Sequence, residues 1–100
     1  MSSAIIEIYM EKAVKRQWGF GIMGPDDTGL RKRIRLPWIA SIDPKGIAAK
    51  SGLQIDDAIV RINDTNISPD LSHDDVVRLT QLSTIKLSMT VSRPSSRFVL

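Results

Sequence analysis

From Ile85 to Ser92 the chain alternates without a break. Ile85, Leu87, Met89 and Val91 are apolar, and Lys86, Ser88, Thr90 and Ser92 between them are polar. Side chains on a strand point to opposite faces in turn, so this period predicts a strand with one face on a core and one in water. Such a strand needs partners, and the chain supplies candidates. Ile6, Ile8 and Met10 alternate with Glu7 and Tyr9 in a run that starts near Ala4. Trp18 to Met23, Trp38 to Ile42 and Asp57 to Asn63 predict three more strands, the last carried by Ile59, Val60, Arg61 and Ile62. After an Asp64-Thr65 turn, Asn66-Ile67 reads as a short return strand, and Pro94-Ser95-Ser96 ends the final one.

Two segments read as helices. Ile47 to Ser51 is a short one after the Asp43-Pro44-Lys45-Gly46 turn, stopped at Gly52, where a left-handed residue is expected. The main helix starts at Ser72, a good N-cap. Asp74 and Asp75 lie in its first turn, where negative charge meets the positive end of the helix dipole. Val76, Val77, Leu79 and Thr80 form one apolar flank. Gly24 to Arg35, opening on Gly-Pro-Asp-Asp, reads as a long exposed loop. Strands and helices do not alternate regularly, which argues against a doubly wound parallel sheet and for a small α+β domain or partly open barrel. There is no internal repeat.

At 100 residues with 42% hydrophobic side chains, the chain suits one core and not two. It has no cysteine, which removes disulfides, thiolate nucleophiles and cysteine metal sites. No apolar run reaches the ~20 residues that cross a bilayer, and the N-terminus lacks the build of a secretory signal. The expected location is cytoplasmic, including the inner membrane surface or cell junctions. Net charge is +3, partly concentrated in Arg31, Lys32, Arg33 and Arg35. That segment is either a solvated loop or a contact for acidic peptides and anionic lipid. Nucleic acid is not expected, because no aromatics interleave with these basic residues.

Enzyme chemistry finds little to work with. His73 is the one histidine, and Ser72 beside it cannot face it on a helix. There is no G-x-S-x-G elbow, phosphate loop or dinucleotide fingerprint. Asp26-Asp27, Asp56-Asp57 and Asp74-Asp75 read as turn and cap residues. The reading is of a non-enzyme with no catalytic residue, no metal and no cofactor.

Trp18-Gly19-Phe20-Gly21-Ile22-Met23-Gly24 is the segment that suggests binding. Glycines beside large apolar residues let a backbone come close to a ligand while the side chains wall a pocket. N–H groups exposed by such a turn form a nest for an anion such as a free carboxylate. An extended peptide could then add to the edge of the following strand. A bulged core strand would use the same residues, and composition alone leaves both readings open.

The segment also resembles the carboxylate-binding loop of PDZ domains, whose usual pattern is Gly-Leu-Gly-Phe. Gln17-Trp18-Gly19-Phe20 falls on it, with Gln17 for the first glycine and Trp18 for the leucine. Trp-Gly-Phe is similar to the loop of Enigma-type PDZ and LIM proteins. Ile47-Ala48-Ala49 through Gly52-Leu53-Gln54-Ile55-Asp56-Asp57-Ala58-Ile59, then Ile62-Asn63-Asp64, then Ser72-His73-Asp74-Asp75 resemble later family landmarks in family order. Asp56 and Asp64 each replace a glycine of the pattern. The resemblance covers residues 4–93 and leaves 94–100 as a C-terminal tail. It implies a PDZ-like α+β fold: a partly open antiparallel β-barrel or sandwich of five to six strands with two helices.

The same resemblance implies a site. The N–H groups of Trp18, Gly19 and Phe20 would hold a ligand carboxylate, assisted by Lys15 or Arg16. Trp18, Phe20, Ile22, Val77 and Thr80 would line the pocket for the last ligand side chain, which Trp18 would narrow or flank as a lid. Gly21, Ile22 and Met23 would pair with the ligand backbone. His73 would face the third-last residue and favour Ser/Thr-x-hydrophobic-COOH. A second register, with Ser72 in that role and Leu79 in the pocket, turns Asp75 toward the core and is less favoured. Trp38 would either face upstream ligand residues or pack on the sheet. The implied partners are C-terminal tails of membrane or signalling proteins, in a scaffold or adaptor role. The alternatives are a stand-alone regulatory domain competing with larger scaffolds, and an anionic-lipid module using Arg31 to Arg35. Phe98-Val99-Leu100 would also make a ligand for self-association.

Overall fold

The computed structural model describes residues 3–12, 17–25, 36–68, 70–83 and 85–94. They form six strands and two helices: β1 (Ser3–Glu11), β2 (Phe20–Met23), β3 (Trp38–Ile42), α1 (Ile47–Lys50), β4 (Ala58–Ile62), β5 (Thr65–Asn66), α2 (His73–Gln81) and β6 (Lys86–Pro94). The strands make one antiparallel sheet in the order β1-β6-β4-β3-β2, with β5 hung on β4. The sheet does not close, so β1 and β2 are its two terminal strands.

The two long alternating runs pair along their whole length, Ser3 opposite Pro94 through Glu11 opposite Lys86. The paired sheet thus reaches one residue beyond the expected 4–93 limits at each end. Their inward sets, Ile8 and Met10 with Leu87, Met89 and Val91, are buried with Ile39, Ile59, Ile62 and Val76 in one core. Register is fixed because a one-residue slip would turn every one of these side chains into water. Ile85 departs from its pattern. It precedes β6 and is 54% exposed, at the end of the β1–β6 pairing, where its carbonyl accepts the Lys12 N–H. The return strand also falls one residue early: Asn63, at φ +51, and Asp64 make the turn, and Thr65–Asn66 pair with β4. An asparagine takes the left-handed region more readily than most residues.

α2 starts where its cap residues dictate. The Ser72 hydroxyl accepts the Asp75 N–H at 3.1 Å and the Asp75 carboxylate accepts the Ser72 N–H at 3.2 Å, a reciprocal capping box. Val76 and Thr80 are buried, which lays the helix along β2. α1 ends at a left-handed Gly52, φ +97. Behind α1, Asp57 is 1% exposed and its carboxylate accepts Arg93 Nε and Nη2, each at 2.7 Å, and the Gln54 N–H at 2.9 Å. Arg93 also donates to the Gly52 carbonyl at 2.9 Å. This ion pair fastens the end of β6 to the turn between α1 and β4, and the hydrogen bond to Asp57 raises the Arg93 pKa above its ordinary value.

Candidate functional site

The expected second strand begins later than its hydrophobicity suggests. Trp18 and Gly19 precede β2, and Gly19 has φ +92. A Cβ on Gly19 would lie 3.1 Å from the Gly46 Cα, so two backbone segments touch here and only a glycine fits. The contact is tied by two hydrogen bonds. The Trp18 carbonyl accepts the Ala48 N–H at 3.0 Å, and the Gly19 carbonyl accepts the Asp43 N–H at 2.9 Å. Ala48 lies in the first turn of α1, whose N-cap Gly46 has no side chain to offer. Trp18 therefore supplies an acceptor that the helix start lacks. In a trans peptide the C=O and the next N–H point in opposite directions. With both carbonyls turned toward α1 and its preceding turn, the N–H groups of Gly19 and Phe20 point away from them.

Next to this loop lies a cavity of about 190 Å³. Gln17, Trp18, Phe20, Gly21 and Ile22 line one side, and Val77, Thr80 and Gln81 of α2 line the other. No charged side chain is among them, which suits an apolar group. Trp18 is a wall and not a lid: it is 8% exposed and belongs to the core. Lys12 lies over its ring, Nζ 4.0 Å from the centroid, with the lysine stem buried. Thr80 has no donor to spare, since its hydroxyl donates to the Val77 carbonyl at 2.7 Å.

His73 is the first residue of α2, and its Nδ1 is 2.9 Å from the Gly24 carbonyl oxygen just past β2. A carbonyl only accepts, so Nδ1 carries the proton. In the neutral ring Nε2 is then an acceptor. Ser72 is engaged as the helix cap, and Leu79 packs against the core. Asp75 stays at the helix start, where the Ser72 N–H lowers its pKa. The side of α2 that faces β2 thus carries His73, Val77 and Thr80. Met23 is 53% exposed and pairs with Trp38. Trp38 is half-buried with its ring against Gly24, where an added Cβ would lie 2.8 Å from Cε3.

Lys15, Arg16, the Arg31 to Arg35 segment and the Phe98-Val99-Leu100 tail lie outside the described residues. Four residues of the site were not predicted for it: Gln17 and Gln81 in the cavity lining, Lys12 over the Trp18 ring, and Gly24 at the end of the groove. Gln81 follows Val77 by four positions, a spacing that shares a helix face. Lys12 extends the inward parity of Ile8 and Met10. Gly24 gave no signal beyond turn chemistry. A second depression, about 500 Å³, is lined by Tyr9, Met10, Glu11, Asn63, Lys86, Leu87 and Ser88. Its Asn63 amide is already used, donating to Ser83 Oγ at 2.8 Å and accepting the Ser88 N–H at 3.1 Å. No group of three or more histidine, aspartate or glutamate side chains able to hold a metal occurs among the described residues.

A family model described as PDZ domain matches residues 7–92. Among solved structures, the chain is similar to a PDZ domain from choanoflagellate SHANK1, solved bound to a GIRK3 peptide. The TM-score is 0.79 at 22% identity, covering 97% of this chain and 100% of that one, a likeness of fold. No curated protein matches the chain.

Proposed function

This chain belongs to the PDZ domain family, whose members are interaction modules, and from that premise we propose that it captures the free C-terminal segment of partner proteins. One observation carries the reading: an uncharged cavity lies at the head of a terminal sheet strand, beneath a loop whose carbonyls are tied inward. An extended ligand adds as a further strand along β2, between it and α2. The N–H groups of Gly19 and Phe20, with that of Trp18, meet its carboxylate, and Lys15 assists. Hydrogen bonds to a charged group contribute about 1.5–3 kcal/mol each. The last side chain fills the cavity, whose lining favours an aliphatic group. The third-last side chain meets His73, whose Nε2 acceptor favours a Ser or Thr hydroxyl. The solved choanoflagellate relative with its bound peptide supports ligand binding by this fold.

The binding unit is residues 4–93. Its partners are C-terminal tails of membrane or signalling proteins, met on the cytoplasmic side in a scaffold or adaptor role. The test is a titration of C-terminal peptides of the form Ser/Thr-x-hydrophobic-COOH, each repeated as its C-terminal amide. The expected result is micromolar binding that weakens at least about tenfold on amidation, the loss of one charge-assisted bond or more. Equal affinity for acid and amide overturns the carboxylate reading. A preference for apolar residues at the third-last position overturns the role of His73.

A further inference from the structure

Strand addition needs an edge whose N–H and C=O groups are available in alternation. On β2 that edge is short, and the structure closes it at one end in three independent ways. The strand has four residues, Phe20 to Met23. Gly24, the next residue, has φ +81 and leaves the extended region. Its carbonyl crosses to α2 and accepts the His73 Nδ1–H at 2.9 Å. Pro25 then brings no N–H at all. The Trp38 ring packs on Gly24 so closely that no side chain fits there. The tryptophan thus backs the residue whose carbonyl reaches the histidine.

Groups on one edge of a strand recur every second residue. The Asp43 N–H to Gly19 carbonyl bond flanks the Phe20–Ile42 pair, so Phe20 turns its own N–H and C=O away from β3, and Ile22, two residues on, shares that free edge. A ligand strand would form rungs with Phe20 at its last residue and Ile22 at its third-last. Its next rung, at the fifth-last residue, would need Gly24, whose carbonyl His73 already holds. We propose that the His73–Gly24 hydrogen bond is a latch across the groove that ends strand addition at the ligand's third-last residue. The ligand class is therefore a short C-terminal tripeptide signal, read with little regard to the sequence before it. This inference rests on the function proposed above and adds its length limit. It also assigns His73 two tasks at once: Nδ1–H stays on Gly24 while Nε2 accepts the ligand hydroxyl.

The latch is measurable without any ligand. His73 is the sole histidine of the chain, so a long-range proton–nitrogen spectrum of the labelled protein reports one ring. The expected result is the neutral tautomer protonated at Nδ1. A ring protonated at Nε2, or averaging between the two forms, overturns the latch. The length limit is measured with two peptides sharing their last four residues, one a blocked tetrapeptide and one extended by four alanines. Their Kd values should agree within about twofold, because no further main-chain bond forms. A gain of about tenfold on extension, the size of one or two added main-chain bonds, overturns it. In the His73→Ala, Pro25→Ala double variant, folded by its amide spectrum, the longer peptide should gain several-fold over the shorter. Length independence that persists in this variant overturns the latch as its cause. Should neither peptide bind, the proposed function fails and the length limit with it, while the ring spectrum still decides the hydrogen bond.

Discussion

Replacing Arg93 by methionine keeps most of the side-chain stem and removes the guanidinium fork. What remains is the Asp57 carboxylate, 1% exposed, with the Gln54 N–H as its partner at 2.9 Å. Two hydrogen bonds of 2.7 Å to Asp57 disappear, and so does the one at 2.9 Å to the Gly52 carbonyl. Removing one partner of a buried ion pair costs about 3–5 kcal/mol, mostly for the charge left behind. The Arg93 side chain is 22% exposed, so water can enter from that side, which favours the lower end, about 3 kcal/mol. For a domain of this size that lowers Tm by roughly 12–24 °C. Urea unfolding followed by tryptophan fluorescence should show a lower midpoint at unchanged slope, the sign of lost stability without a change in compactness. Adding Asp57→Asn to the methionine variant removes the stranded charge while keeping an oxygen for Gln54. The double variant should recover at least about 1 kcal/mol, a coupling that neighbours in one network show. A cost below about 1 kcal/mol for Arg93→Met, or a double variant less stable than the single, would refute the buried-charge argument.

Three further outcomes follow from the site and its supports. Asp75 has its pKa lowered by the Ser72 N–H, so its stabilising effect is complete above the ordinary carboxylate value near ~4 and is lost as pH falls through its lower folded value. Acid titration of Asp75→Asn should show a shallower fall in stability below that pH, and an unchanged profile would contradict the capping box. Gly19→Ala puts a Cβ 3.1 Å from the Gly46 Cα at φ +92 and should cost about 1–3 kcal/mol of stability together with carboxylate binding; a variant as stable as the parent would show that the loop tolerates a side chain. Val77→Phe fills the cavity opposite Phe20 and Ile22, and calorimetry should find weaker binding of peptides ending in Leu than of those ending in Ala, reversing the parent's order.

What the sequence made legible were the features with a period or a local bond. β6 and the Ile8, Met10, Leu87, Met89 and Val91 core follow from strict alternation, and the start of α2 follows from Ser72 and its acidic first turn. What it did not make legible were contacts between distant positions. Nothing in the chain marks Arg93 as the partner of Asp57, 36 residues away, because any of its many basic residues has the same chemistry. The His73–Gly24 bond spans 49 residues and depends on how α2 lies along β2. Trp18 reads as part of a strand on hydrophobicity, yet Gly19 breaks the strand before it and sends the indole into the core against Lys12. Long-range placement decided each of these, and local pattern carries no information about it.

The same placement explains why one end of the sheet is a better receptor than the other. β1 is nine residues long and shows Ile5 and Tyr9 to solvent, so on length alone it offers the richer edge. Backbone pairing gives affinity, but selectivity comes from side-chain pockets and fixed polar groups on a second wall. The depression beside Tyr9 is lined by no helix residue, and its Asn63 amide already holds Ser83 and Ser88. β2 has less than half the length but gains α2 as a facing wall, and α2 is oriented by Val76 and Thr80 in the core and started by the Ser72 cap. A register shift of α2 by one residue would carry Val77 off the cavity and His73 off Gly24 together. The groove's apolar end and its polar end are therefore set by one and the same packing choice, the seating of Val76.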